Sequence, residues 1–412
     1  MDKSQLLSQY NQIKAEGLKL DMSRGKPPAE VLAYSNRLLE ISLFDDYHSV
    51  NRIDCRNYGV LDGIPEAKAL FAPILGVSTD EIIIGGNSSL QMMYDAVTRA
   101  MLSGVSEKAE PWSKDKSGRV KFICPVPGYD RHFSICEGLG IEMLNLPLNQ
   151  GQPDIDMVED MVARDGSIKG MWCVTVYSNP TGITYSDQTV RRLAGMKTKA
   201  DDFRLFWDCA YIVHHLTDTH CNILNILDEC KQAGNPDRVY MFGSTSKITF
   251  PGAGVAIMAA SEGNTAYIKK HMGFQTIGSD KLNQLRHVRF FKDFNGIVAH
   301  MKLLKDILKP KFDAVIEMLE KQLKPHNLGE WHSPDGGYFI SFDGNKGTAE
   351  KTVRLCKEAG VVLTNAGATF PYGKDPEDRN IRIAPSFPPL DELKKAMEIF
   401  CLSVKLANLE VT

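Results

Sequence analysis

At 412 residues, 43% of them hydrophobic and 24% charged, the chain can bury a large core and divide into two domains. Its formal charge of -3 gives no overall attraction to nucleic acid or to an anionic membrane. Nine cysteines scattered without a C-x-x-C pair read as reduced core thiols of a cytoplasmic protein, not as a disulfide framework or a zinc site.

The opening residues, MDKSQLLSQYNQIKAEGLKL, predict a charged amphipathic helix and no signal peptide. No apolar run has the length needed to span a bilayer. LDMSRGKPP then reads as a loop closed by Pro27 and Pro28. From about residue 63, helical patterns alternate with short runs rich in Val, Ile and aromatics: EIIIGG, VKFICPV, IEMLNLPL, GMWCVTVYS, FRLFWDCAY, RVYMFGS and AGVAIMAA. Such runs predict buried strands of a largely parallel sheet with helices on its faces, an α/β domain. Beyond residue 300 the texture changes. MKLLKDILKPKFDAVIEMLEKQLK predicts a long helix kinked or interrupted at Pro310, which lacks a backbone donor. Short strands at GGYFISF, GVVLTN and NIRIAP, with a closing helix from PPLDELKKAMEIFCLSV, predict a smaller α+β domain. The expected division is a large domain over 51–299 and a small one from 1–50 and 300–412.

Ligands of open α/β sheets collect at the strands' carboxyl ends, so the residues that follow each run are the candidates. After EIIIGG, Asn87, Ser88 and Ser89 enter a helix. They either let backbone N–H groups approach an anion at the helix's positive end or simply supply an N-cap. Tyr129 in CPVPGYDRHF either stacks on a planar ligand or packs on its own domain. Asn179 in VYSNPTG offers an amide to a ligand oxygen or forms a turn. Asp208 ends a strongly apolar run, with Tyr211 three residues on. A carboxylate there needs a positive partner: an arginine or helix N-terminus of the protein, or a protonated ring nitrogen of a ligand. Lys247, in FGSTSKITFPGAG, follows a buried run and stands among hydroxyl residues that include Ser244 and Ser246, an unusual place for a solvated ammonium. GSTSKIT lacks the glycine directly before the lysine that a P-loop needs, and GAGVAI lacks the last glycine of a dinucleotide fingerprint and leads into a strand. Arg382 in NIRIAP suits bidentate capture of a carboxylate, or pairs with a structural aspartate.

Taken in order, Tyr58 in NYGVLDGIPEAKALFA, then GGNSSLQ, PGYDRHF, SNPTG, DCAY, STSK and NIRIAP resemble the landmarks of the fold-type I pyridoxal-phosphate enzymes of the class I/II aminotransferase superfamily. The resemblance spans nearly the whole chain. SKITFPGAGVA is most similar to a divergent bacterial subgroup of aspartate aminotransferases associated with MocR-like aminotransferase domains. The resemblance implies the fold-type I transferase fold, pyridoxal 5'-phosphate as cofactor, no metal, amino-acid and 2-oxo-acid substrates, and a homodimer with sites at its interface. It implies that Lys247 forms the internal aldimine and shuttles the proton between Cα and C4′, and that Asp208 pairs with the pyridine N–H. Asn179 and Tyr211 are implied to bond the phenolic oxygen and Tyr129 to stack on the ring. Asn87, Ser88, Ser89 and Ser244 are implied to cradle the phosphate, Tyr58 to reach that phosphate from the second subunit, and Arg382 to bind the substrate's α-carboxylate.

Two positions depart from the pattern. Where relatives read PGLRVG this chain reads PGAGVA, so Gly254 replaces a phosphate-binding arginine, and a lysine or arginine from elsewhere or extra hydroxyls such as Ser246 must substitute. The second carboxylate of an aspartate substrate also needs a cation. Arg24, then Arg286, then Lys26 are the candidates, with Lys281 and Arg289 in the same stretch as Arg286; a solvated basic face is the alternative for each. The expected reaction is amino-group exchange between L-aspartate and 2-oxoglutarate. Transfer from aromatic or branched-chain amino acids, or carbon–sulfur β-elimination, would use the same residues with a different pocket lining. A ligand-sensing regulatory module would need a DNA-binding segment, for which the N-terminal helix is too short.

Overall fold

The computed structural model describes residues 2–218 and 222–409. In chain order its strands are β1 (Leu20–Asp21), β2 (Ile82–Ile84), β3 (Lys121–Val126), β4 (Glu142–Asn149), β5 (Gln152–Pro153), β6 (Ile168–Val174) and β7 (Arg204–Asp208). They are followed by β8 (Val239–Ser244), β9 (Ala256–Ala259), β10 (Glu330–Trp331), β11 (Ile340–Asp343), β12 (Val361–Val362) and β13 (Asn380–Ile383). One large sheet has the order β2-β9-β8-β7-β6-β3-β4-β5. Its centre, β8-β7-β6-β3-β4, is parallel, while β9 runs antiparallel to both β2 and β8.

Every residue of β6, β7 and β9 is buried, and β8 is buried up to Ser244. A strand covered on both faces has no polar side to alternate with, which is why these sequences read as unbroken apolar runs. Successive side chains still point to opposite faces. Phe122, Trp172, Phe206 and Phe242 pack into the core on one face, and Ile123, Met171, Leu205, Trp207 and Met241 into the core on the other.

The C-terminal part carries an antiparallel sheet, β10-β11-β13. Helix Phe294–Gln322 continues through Pro310, so of the two expected outcomes, a kink or an interruption, the interruption does not occur; the helix also crosses the anticipated boundary at 299/300. Pro310 is exposed, as is Asp306 four residues earlier, so the carbonyl left without a helical donor faces water. The N-terminal segment joins this part of the chain. β1 pairs in parallel with β12, and the Tyr10 hydroxyl donates to the Leu355 carbonyl at 2.8 Å. Among the described residues no helix is long and apolar enough to cross a membrane. Each described cysteine is buried and unpaired; Cys221 lies outside the described residues.

Candidate active site

Because β9 lies antiparallel between β2 and β8, the loops leaving the carboxyl ends of β2 and β8 stand side by side at the start of β9. The Asn87 amide donates to the carbonyls of Pro251 and Gly252 at 3.4 and 3.3 Å, and the Ser246 hydroxyl donates to the Asn87 carbonyl at 3.3 Å. The Ser244 hydroxyl donates to Ser246 Oγ at 3.0 Å. Ser88 occupies the N-cap position of helix Ser89–Ser103, yet its side chain makes no capping hydrogen bond. The helix therefore keeps its first N–H donors and its positive end beside this hydroxyl cluster.

Asp208 closes β7 and is 3% exposed. Two residues past Phe206, it points to the same face of the sheet, where His132 donates Nε2–H to Oδ2 at 3.1 Å and the Ala210 N–H meets Oδ1 at 3.0 Å. The His132 ring lies flat on Trp172, with centroids 4.3 Å apart and an interplanar angle of 12°. Tyr129 stands edge-on to the same imidazole, with centroids 4.9 Å apart. Gly128 is forced at the preceding position, since a Cβ there would lie 2.4 Å from the Pro125 carbonyl oxygen.

Lys247 follows β8, and its Nζ stands 5.5 Å from the ring centre of Tyr211 and 5.7 Å from that of Tyr338. Among the described residues Nζ has no hydrogen-bond or ion-pair partner. Burial holds this ammonium below the ordinary lysine range; Asp208 opposes the shift and Arg382 reinforces it. Burial also pushes the Tyr211 and Tyr129 phenols above their usual range, with nearby Asp208 adding to both. His214 lies beneath, its Nε2 3.3 Å from the Lys247 carbonyl and its Nδ1 buried without a partner among the described residues. Burial, helped by the Lys247 charge, pulls its pKa down to about 3.

Arg382 sits in β13 at 6% exposure. Its Nη1 donates to Asp130 Oδ1 at 3.0 Å and to Asn179 Oδ1 at 3.2 Å, and its Nη2 donates to Thr364 Oγ1 at 3.3 Å. Nε is buried with no partner among the described residues. Phe339 covers the guanidinium, with its ring centre 4.7 Å from Cζ. The loop Ser23–Lys26 closes over this ring. Thr364 donates to the Ser23 carbonyl at 2.6 Å, and a Cβ on Gly25 would fall 2.6 Å from Phe339 Cζ.

The structure thus brings Asp208, Tyr211, Lys247, Asn179, Arg382 and Tyr129 into one region, and gathers Asn87, Ser88, Ser89, Ser244 and Ser246 beside it. It does not bring Tyr58 there: that ring is 82% exposed. Arg24 and Lys26 are exposed on the loop beside Phe339, with Lys26 Nζ 5.2 Å from the Phe387 ring. Arg286 is half-buried on helix Lys281–Phe291. Lys281 is buried and donates to the Gly59 carbonyl at 3.0 Å, while Arg289 pairs with Asp46 at 2.7 Å. At Gly254 a Cβ would meet Thr245 Oγ1 at 3.0 Å, and the carbonyls of Ala253 and Gly254 are held by the Asn283 amide.

Sequence reasoning singled out neither His132, Asp130, Thr364, His214 nor Phe339. His132 carried a signal, because it lies one helical turn after Tyr129 and so shares its face. The others carried none.

The donor set fits pyridoxal phosphate. The helix end without a side-chain cap and its hydroxyls suit a phosphate, Asp208 suits a protonated ring nitrogen, Lys247 supplies an amine low in proton affinity, and the orphaned Nε of Arg382 suits a carboxylate.

A family model described as aspartate amino-transferase matches residues 2–412. An aspartate aminotransferase of Corynebacterium glutamicum is 44% identical over 401 residues, covering 97% of this chain and 92% of its own. A crystal structure of an aspartate transaminase from Corynebacterium glutamicum has a TM-score of 0.96 at 43% identity, over 99% of this chain and 96% of that one. An α-aminoadipate aminotransferase from Thermus thermophilus, solved in complex with N-(5'-phosphopyridoxyl)-L-leucine, shares the fold with a TM-score of 0.78. Its identity is 18%, over 98% of this chain and 96% of that one.

Proposed function

The chain belongs to the aspartate aminotransferase family, and from that premise we propose that it is a pyridoxal-phosphate transaminase converting L-aspartate and 2-oxoglutarate to oxaloacetate and L-glutamate. The observation that carries this reading is Lys247: an amine of lowered proton affinity, without an ion-pair partner among the described residues, between a buried carboxylate and a buried guanidinium.

When bound, the cofactor supplies an aldehyde and a ring that accepts the electron pair left at the substrate's Cα. Lys247 would hold that aldehyde, then move the proton between the substrate's Cα and the cofactor's C4′, work for which an amine of lowered proton affinity is suited. Asp208, fixed by His132 and the Ala210 N–H, would present negative charge to the ring nitrogen. Burial keeps Tyr211 protonated, so it would serve as a donor to the ring oxygen together with the Asn179 amide. Asn179 is turned for this because its Oδ1 already accepts from Arg382. Tyr129 would cover the ring face. Asn87, Ser88, Ser89, Ser244 and Ser246 would hold the phosphate at the helix end. Arg382 would take the substrate's α-carboxylate.

An absorbance spectrum of the purified protein tests this directly. Addition of L-aspartate should bleach the yellow form, and 2-oxoglutarate should restore it. Release of ammonia and pyruvate would instead indicate β-elimination, and a response to aromatic or branched-chain amino acids alone would move the assignment to another aminotransferase.

For the substrate's second carboxylate we favour Arg24, because Thr364 ties its loop to Arg382 through the Ser23 carbonyl. Arg24→Ala should lose at least about tenfold in kcat/KM for aspartate and little for alanine; equal losses would shift the role to Arg286 or Lys26. We also propose a homodimer in which Tyr58 reaches the partner's phosphate. Its support is exposed apolar surface: Phe44, Val50, Tyr58, Phe274 and Ile277 are each at least 60% exposed, and the Gly278 backbone, next to Ile277, abuts the Gly59 carbonyl, next to Tyr58. The unpaired buried thiols support a cytoplasmic location. The pairing of β1 with β12 supports grouping 1–50 with 300–412 as a small domain beside 51–299.

A further inference from the structure

An acid beside a guanidinium that reads carboxylates needs a reason, since it repels the ligand that the arginine attracts. Asp130 is such an acid. It opens helix Asp130–Gly138, directly after Tyr129, and its Oδ1 lies 3.0 Å from Arg382 Nη1, with the Asp130 side chain 32% exposed and that of Arg382 only 6%. A guanidinium has five N–H donors. Here Asp130 and Asn179 take the two on Nη1, Thr364 takes one on Nη2, and the remaining Nη2–H and the buried Nε–H have no partner among the described residues. Nε and Nη2 lie along one edge of the group, the edge that accepts a carboxylate side-on, and each keeps a donor without a protein partner among the described residues. Asp130 therefore occupies the opposite corner from the one a substrate would use.

Resting on the reading of Arg382 as the α-carboxylate site, we propose that Asp130 is a positioning residue that sets substrate affinity: it anchors the Nη1 corner, aims the Nε–Nη2 edge, and partly neutralises the arginine. Two physical consequences follow from its place. In the absence of substrate it spares the protein a buried charge without a counterion. With substrate present, two carboxylates share one guanidinium and weaken each other's attraction. Binding held down in this way is lost equally from substrate and transition state, so it raises KM without lowering kcat.

Asp130→Asn in the holoenzyme is the test, since it keeps the Oδ1 acceptor and removes the charge. KM for L-aspartate, and the dissociation constant of the unreactive dicarboxylate maleate measured by absorbance titration, should both fall about five- to tenfold, with kcat changed by less than about twofold. An unchanged or higher KM overturns the proposal. Asp130→Ala removes the acceptor as well. Its KM should fall less than that of the asparagine variant, and an equal fall overturns the positioning half of the proposal. A wild-type protein with no spectral response to L-aspartate would overturn the transaminase reading itself, whereas a responsive wild type with an insensitive Asp130→Asn overturns only this inference.

Discussion

Asp208 and Arg382 are both buried charges, 3% and 6% exposed, but their surroundings are built on different terms. Both Asp208 oxygens are matched, by an imidazole stacked flat on a tryptophan and by a backbone N–H two residues on. Arg382 draws its acceptors from Asp130, Asn179 and Thr364, on three separate segments, and still leaves Nε unbonded. A buried donor without a partner costs about 1–3 kcal/mol, and a ligand carboxylate would recover that cost. One end of the site is thus fixed by the protein alone, while the other keeps a buried donor that a bound carboxylate would satisfy. Lys247 stands between them and borrows from both: its proton affinity is lowered first by burial, then balanced by the two charges.

The contrast can be broken by mutation. Lys247→Ala should lose at least about four orders of magnitude in turnover, measured as oxaloacetate formed, with the fold intact. Asp208→Asn should lower kcat about 10²–10³-fold and leave KM for aspartate nearly unmoved, since the fixed end acts on charge developing in the reaction. Arg382→Lys should do the reverse, raising KM about 10–100-fold through the lost side-on pair while kcat falls less. If the two variants showed the same split between kcat and KM, the distinction between a fixed end and a ligand-completed end would be wrong.

The smallest effect concerns the satisfied interior around β8. His287 bonds Asn283 and Thr249 with its two nitrogens, at 2.9 and 3.0 Å, and burial pulls its pKa down to about 4. The unfolded chain, with an ordinary histidine near 6.5, binds the proton first as pH falls. The stability owed to the neutral ring is therefore full above 6.5 and is lost progressively towards 4, by up to about 1.4 kcal/mol per pH unit. The urea midpoint should drop between pH 7 and pH 5, and less steeply in His287→Gln; equal slopes would remove His287 from the account.

The strands of the large sheet were legible because burial on both faces leaves continuous apolar runs, and Asp208 and Lys247 were legible as breaks at the ends of such runs. The antiparallel direction of β9 was not, since a strand buried on both faces reads alike in either direction. β5 and β10, two residues each, are too short to carry a period. Of the kink or interruption anticipated at Pro310, the interruption does not occur, because the proline lies on the helix's wet side, where the spare carbonyl is open to solvent. The supporting shell was the least visible part. His132 meets Asp208 across 76 positions and Asp130 meets Arg382 across 252, and no local pattern records such pairings.

The seam between the loops leaving β2 and β8 also orders events during folding. Asn87 touches Pro251 across 164 positions, so the hydroxyl cluster proposed to hold the phosphate assembles only with the distant pairing of β2, β9 and β8. On the proposed reading a half-refolded polypeptide would offer the vitamer no receptor, and uptake of colour by a refolding solution should lag behind the return of helical signal, marking the final stage of folding and not its nucleus.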